Sequence, residues 1–228
     1  KAAGHLADSQ INENWEIETT GNWSTDLTRF LLEVQQLTGS FGKTNVKLEK
    51  ALHLKVDKNS SVLEPFSLLW GQATMQGAFL KEKEEIDLHF HLKQIPPELF
   101  KLAPFELPFQ TQASLKVSLQ GKLDRPTGSI ALLFDQLQFS EDHLLKKAQL
   151  QGKIALQLSE KEMKVNSELV GIGKTPLSIH GTLPYILSLS PIAIKKEENS
   201  SFQLAIKGEG SADAYLPLFL EEPPGLAG

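Results

Sequence analysis

Alternation of apolar and polar residues decides the fold class of this chain. Between positions 148 and 158, Ala148, Leu150, Gly152, Ile154, Leu156 and Leu158 are separated by Gln149, Gln151, Lys153, Ala155 and Gln157. Successive side chains of an extended backbone point to opposite sides, so this is a strand with one apolar and one wet face. Ala113, Leu115, Val117, Leu119, Gly121 and Leu123 repeat the pattern against Ser114, Lys116, Ser118, Gln120 and Lys122. Both stretches contain the tetrapeptide LQGK, at 119–122 and 150–153, and in both the glycine falls in the apolar register.

The motif apolar-x-Gly-x-apolar recurs around Gly39, Gly77, Gly121, Gly152 and Gly181, with a weaker copy at Gly208. The spacing between copies drifts, which excludes a solenoid of fixed period and suits hairpins of unequal length. Further alternating runs contain Val46 to Val56, Ile86 to Leu92, Ile130 to Phe134, Met163 to Leu169, Leu177 to Leu183 and Phe202 to Ile206. Polar segments such as KEKEE (81–85) and DRPTG (124–128) separate them as turns; in the latter Pro126 presets one dihedral and Gly128 can take a positive one.

A glycine within a strand weakens it but lets the sheet bend. Five in one register predict an all-β, elongated, curled, mainly antiparallel sheet, a half-pipe with an apolar interior. A two-layer β-sandwich with kinked core strands remains open at this point. In the half-pipe the lining residues are Met75, Phe79, Leu88, Phe90, Leu115, Val117, Leu119, Ile130, Leu132, Phe134, Leu150, Ile154, Leu156, Leu158, Leu177 and Ile179. The sheet-curling glycines are Gly39, Gly77, Gly121, Gly152 and Gly181.

Leu27, Phe30, Leu31, Val34 and Leu37 stand at helical spacing behind Ser24 and Thr25, which predicts a short helix over 24–37. Four prolines make 96–109 a connecting loop with room for one helical turn, so one or two short helices are expected in all. The ends, KAAGHLAD and EEPPGLAG, read as those of a single segment, 1–228, of a longer chain.

Nothing in the sequence carries catalysis. It has no cysteine, no phosphate-binding glycine loop and no nucleophile motif. His89 and His91 in LHFHL alternate with Leu88, Phe90 and Leu92, which places them on the wet face, and His53 and His180 follow the same rule. A metal site needs further ligands, so none is expected. Glu82, Glu84 and Glu85 lie in a lysine-rich turn, the opposite of the buried cleft that a catalytic acid needs. The expectation is a protein that is not an enzyme and takes no cofactor. A net charge of −5 argues against nucleic acid as a partner.

The stretch ASLKVSLQGKLDRPTGSIALLFDQLQF (113–139) resembles the repeating phrase of TamB-type proteins of the AsmA/TamB superfamily: an alternating strand ending in Gly-x-Leu, a short proline turn, then Gly-x-Ile opening the next strand. VGIGKTPLSIHGTLP (170–184) is similar to a second phrase, and GEGSADAYLPLFL (208–220) and GNWSTDLTRFLLE (21–33) to a third. The resemblance implies a β-taco, a sheet folded lengthwise around an apolar groove that conducts phospholipid between inner and outer membrane. It further implies a place in the periplasm of a diderm bacterium, an inner-membrane anchor helix that is not in this sequence, and an Omp85-type (TamA-like) partner in outer-membrane protein assembly. About 14 strands at about 4.8 Å each give an expected sheet roughly 65 Å long. A scaffold or chaperone that pairs its strands with a client, or a structural β-sandwich, are the alternatives.

Overall fold

The computed structural model describes residues 15–23, 28–41, 44–95, 109–139, 150–171, 174–197 and 201–209. They form β1 (Trp15–Trp23), β2 (Arg29–Phe41), β3 (Thr44–Lys50), β4 (Leu52–Asp57), β5 (Ser60–Trp70), β6 (Ala73–Glu82), β7 (Glu85–Ile95), β8 (Phe109–Lys122), β9 (Thr127–Phe139), β10 (Leu150–Leu158), β11 (Met163–Val170), β12 (Leu177–Leu183), β13 (Tyr185–Leu189), β14 (Ile192–Lys196) and β15 (Gln203–Lys207). Thirteen of them make one sheet in the order β1-β2-β3-β5-β6-β7-β8-β9-β10-β11-β12-β15. β4 shares the place of β3, since both pair with β2 and β5. The sheet is antiparallel, long and curled, and it does not close into a barrel. Twelve strand positions at about 4.8 Å span roughly 53 Å, shorter than the length expected from the sequence. A sandwich needs two sheets, and the one described strand pair outside this sheet is the short β13–β14 hairpin.

The helix expected over 24–37 is corrected. Residues 29–37 lie in β2, and 24–27 fall outside the described residues. The helical spacing has a strand-level cause. Phe30, Leu32 and Val34 pair with Val56, Leu54 and Leu52, while Gly39 pairs with Val46. Between these groups Gln35 is an extra residue opposite the Glu18–Thr19 step of β1. That bulge moves the apolar register by one position, so apolar residues recur at intervals of two and three and imitate a helix. Of the predicted connecting loop 96–109, residues 96–108 lie outside the described residues and Phe109 opens β8.

Further bulges bend the sheet. Glu64 and Pro65 of β5 together oppose Ala78, because Leu63 pairs with Phe79 and Phe66 with Gly77. Lys93 and Gln94 of β7 oppose Ser114, and Gln94 takes a φ of 52°. An extra residue in β9, Asp135, lies between the pairs Ala113–Phe134 and Gln112–Gln136. A bulged strand bends and gains twist, so these steps build curl into the sheet.

Two clusters of buried side chains lie on the apolar face. Ala73, Leu92, Ile95 and Ala113 form one, with Trp70, Met75, Phe90, Leu115, Leu132 and Phe134 packed against it. Ile86, Leu119, Leu158 and Met163 form the other. Leu187 and Leu189 of the β13–β14 hairpin pack against this second cluster, and the Leu189 amide donates to the Leu123 carbonyl at 2.7 Å. The apolar run 183–194 of the sequence is thus two strands, and no described helix is long and apolar enough to cross a membrane.

Candidate functional site

Register turns the alternation of single strands into rows that cross the sheet. One row runs Phe66, Gly77, Phe90, Val117, Ile130, Leu156, Val165, Gly181 and Leu204, each opposite the next. A second, one step along the strands, runs Leu68, Met75, Leu92, Leu115, Leu132, Ile154, Ser167, Ile179 and Ile206. On the other side of the first row, Leu63, Phe79, Leu88, Leu119 and Gly128 follow one another, then Leu158, Met163 and Leu183. A fourth joins Ile95, Ala113, Phe134, Gly152, Leu169 and Leu177. Leu150 lies one step further, opposite Leu137. Directly opposed apolar pairs of this kind each contribute about 0.2–1 kcal/mol to the sheet.

All sixteen residues picked from the sequence as lining therefore share one face. They divide by burial. Leu119, Leu150, Leu158 and Leu177 are buried and form fold core. Met75, Phe79, Leu88, Phe90, Leu115, Val117, Ile130, Leu132, Phe134, Leu156 and Ile179 are half-buried, and Ile154 is 37% exposed. Leu204 and Ile206, at the β15 end of the first two rows, are exposed. Phe66 and Leu68, on the same face, were not legible as lining, because the bulge at Glu64–Pro65 breaks the alternation of β5.

The glycines act in two ways. At Gly152 an added Cβ would stand 2.4 Å from Cε2 of Phe134, and at Gly77 it would stand 3.0 Å from Cε1 of Phe66. At Gly181 it would meet the Gln203 carbonyl at 2.4 Å and Leu204 Cδ1 at 2.9 Å. These three leave room for a side chain from the neighbouring strand to fold over the backbone. Gly121 is different: it has a φ of 92°, and an added Cβ would meet nothing within 4 Å. A side chain there would crowd nothing; Gly121 serves the backbone where β8 turns towards β9. Gly39 pairs with Val46 in the apolar register of β2.

The opposite face is polar, and the described histidines, His53, His89, His91 and His180, lie on it. His53 of β4 is 3.3 Å from Glu33 and 3.1 Å from Glu64, which also bonds Lys55. Hydrogen bonds from Lys55 and then His53 hold the Glu64 carboxyl below the usual carboxylate range. His89 lies 3.0 Å from Asp87 and 3.1 Å from the Ser118 hydroxyl. Burial, then the charges of Lys93 and Lys116, push the His91 imidazole below its ordinary value. Among the described residues no three His, Asp or Glu side chains converge on a point that would hold a metal ion.

No family model, curated protein or solved structure matches this chain.

Proposed function

We propose that this chain is a section of a lipid-conducting groove of the TamB-like kind, moving phospholipid between the inner and outer membranes of a diderm bacterium and supporting outer-membrane protein assembly. The observation that carries the reading is the apolar face. Two of its rows pair in register from β5 through β12 to β15, and the one other described sheet, the short β13–β14 hairpin, packs at the cluster of Ile86, Leu119, Leu158 and Met163. Contiguous apolar surface of this extent marks a binding surface on a soluble domain. Acyl chains suit it, because each CH₂ kept from water is worth about 0.8 kcal/mol, and the half-buried Phe, Leu and Ile side chains offer no polar atom for a headgroup. A lipid would lay its tails along the rows and keep its headgroup at the open margin. The periplasm and an Omp85-type partner belong to the same proposal and rest on the resemblance of the sequence phrases.

Native mass spectrometry of the purified chain tests it. Diacyl phospholipid is expected on the wild type and is expected to be lost from the double variant Leu132→Asp/Ile154→Asp, which puts two carboxylates opposite each other in the second row. A wild-type chain that carries no lipid from a membrane extract would contradict the reading.

A second reading rests on β15. All five of its residues are exposed, and among the described residues it pairs on one side only, with β12. Such an edge offers backbone donors and acceptors to another strand, as a scaffold for client or partner strands would. This reading predicts capture of an extended peptide without lipid.

A further inference from the structure

We propose that the polar face carries a binding pocket for a phosphate-bearing anion, built by Lys50, His91 and Lys116 around Ser67 and Gln76. The inference is independent of what the apolar face holds.

The pocket begins with the bulge in β5. Glu64 and Pro65 stand where one residue would, opposite Ala78. Proline has no amide to give the ladder and is tolerated at such a step, while Ala78 contributes only a methyl group. The backbone bends away and leaves a cavity of about 380 Å³, lined by Lys50, Ser67, Gln76, Ala78, His91 and Lys116 among others. The register sets the polar side chains in line. Lys50 opposes Ser67, Ser67 opposes Gln76, Gln76 opposes His91 and His91 opposes Lys116. Directly opposed side chains have Cβ atoms about 5 Å apart, so five strands deliver a polar row with a lysine at each end.

Lys50, Lys93 and Lys116 have no ion-pair partner among the described residues, whereas Lys55, Arg125 and Lys164 each have a carboxylate partner. Glu49 accepts from the Ser67 hydroxyl at 2.8 Å and keeps its charge at the Lys50 end of the row, and Asp87 lies 3.0 Å from His89. A lysine directly opposite a histidine is a destabilising arrangement once both are charged. In a protein of net charge −5, a folded surface that concentrates cations in a concavity favours an anion there. His91 titrates below its ordinary value, first through burial and then through the charges of Lys93 and Lys116. Lysine binds phosphate as a point charge, and the Gln76 amide adds directed donors. A soluble phosphate ester and an anionic lipid headgroup share this chemistry.

Calorimetric titration with inorganic pyrophosphate at low salt, and sedimentation with phosphatidylglycerol or phosphatidylcholine vesicles, test the proposal and separate the two sources. Saturable binding of pyrophosphate assigns a soluble phosphate compound; binding to phosphatidylglycerol vesicles alone assigns a headgroup. In either case Lys50→Gln/Lys116→Gln is expected to weaken binding about tenfold or more, a loss of about 1.4 kcal/mol. Lys153→Gln removes one charge from the same face on β10, outside the pocket, and is expected to bind as wild type does. Raising salt should weaken binding by screening. The double variant should melt no lower than wild type, since it relieves repulsion. Absence of saturable binding to both probes would overturn the proposal, as would a loss in Lys153→Gln equal to that in the double variant.

Discussion

Gly152→Val is expected to destabilise the chain by about 3 kcal/mol, the upper end for overpacking. Strand propensity alone predicts the reverse, because valine is a better strand former than glycine. The geometry decides between them. A Cβ at 152 would stand 2.4 Å from Cε2 of Phe134, 2.7 Å from its Cζ and 2.8 Å from the Glu168 carbonyl oxygen. The ring can swing away, but the carbonyl belongs to the backbone of β11. Gly152→Ala should therefore cost less than valine, and replacing Phe134 by Leu in the same chain should recover part of that loss. Gly77→Ala, where the nearest atom is a ring carbon at 3.0 Å, should be milder than Gly152→Ala. Urea denaturation of the series checks this order. A Gly152→Val chain as stable as wild type would show that Phe134 does not rest on Gly152.

Leu158→Asp is expected to cost roughly 4 kcal/mol or more, since it buries a carboxylate without a partner. Leu158 is 3% exposed and belongs to the cluster of Ile86, Leu119 and Met163 that the β13–β14 hairpin partly covers. Ile154→Asp lies on the same strand and face, four residues away, yet Ile154 is 37% exposed. Water reaches that position, so about 1–2 kcal/mol of lost apolar burial is the expected cost and the chain should still fold. Thermal melts of the two variants separate the sealed part of the face from its open part. Equal, severe losses would mean that Ile154 is core and that the face is closed there.

How far the sequence could be read follows from where its strands are regular. β8 and β10 alternate strictly over most of their lengths, so their faces, the turn at Pro126 and Gly128, and their apolar residues were legible residue by residue. β2 and β5 were not. The extra Gln35 gave β2 a helical rhythm, and the extra residue at Glu64–Pro65 hid β5 within an apolar run that neither period fits. Register was the other missing quantity. Alternation assigns each residue a face, but only pairing shows that Phe90, Val117, Ile130 and Leu156 form one row. Burial depends on what lies above a residue, so the separation of buried Leu119 and Leu158 from open Ile154 lay beyond a single-strand pattern. The polar pocket was hidden for the same reason: Lys50 and Lys116 are 66 positions apart in the chain and meet only through three intervening strands.

The central claim is that the apolar face holds lipid, and neighbouring residues on opposite faces test it most directly. Ile154 belongs to the apolar rows and Ala155 to the polar face. A photoreactive amino acid is placed at each position in turn, and the chain is irradiated in cells whose phospholipid is labelled. A lipid adduct from position 154 and none from position 155 is the result the account predicts. Adducts from neither position, or equal yields from both, would contradict it.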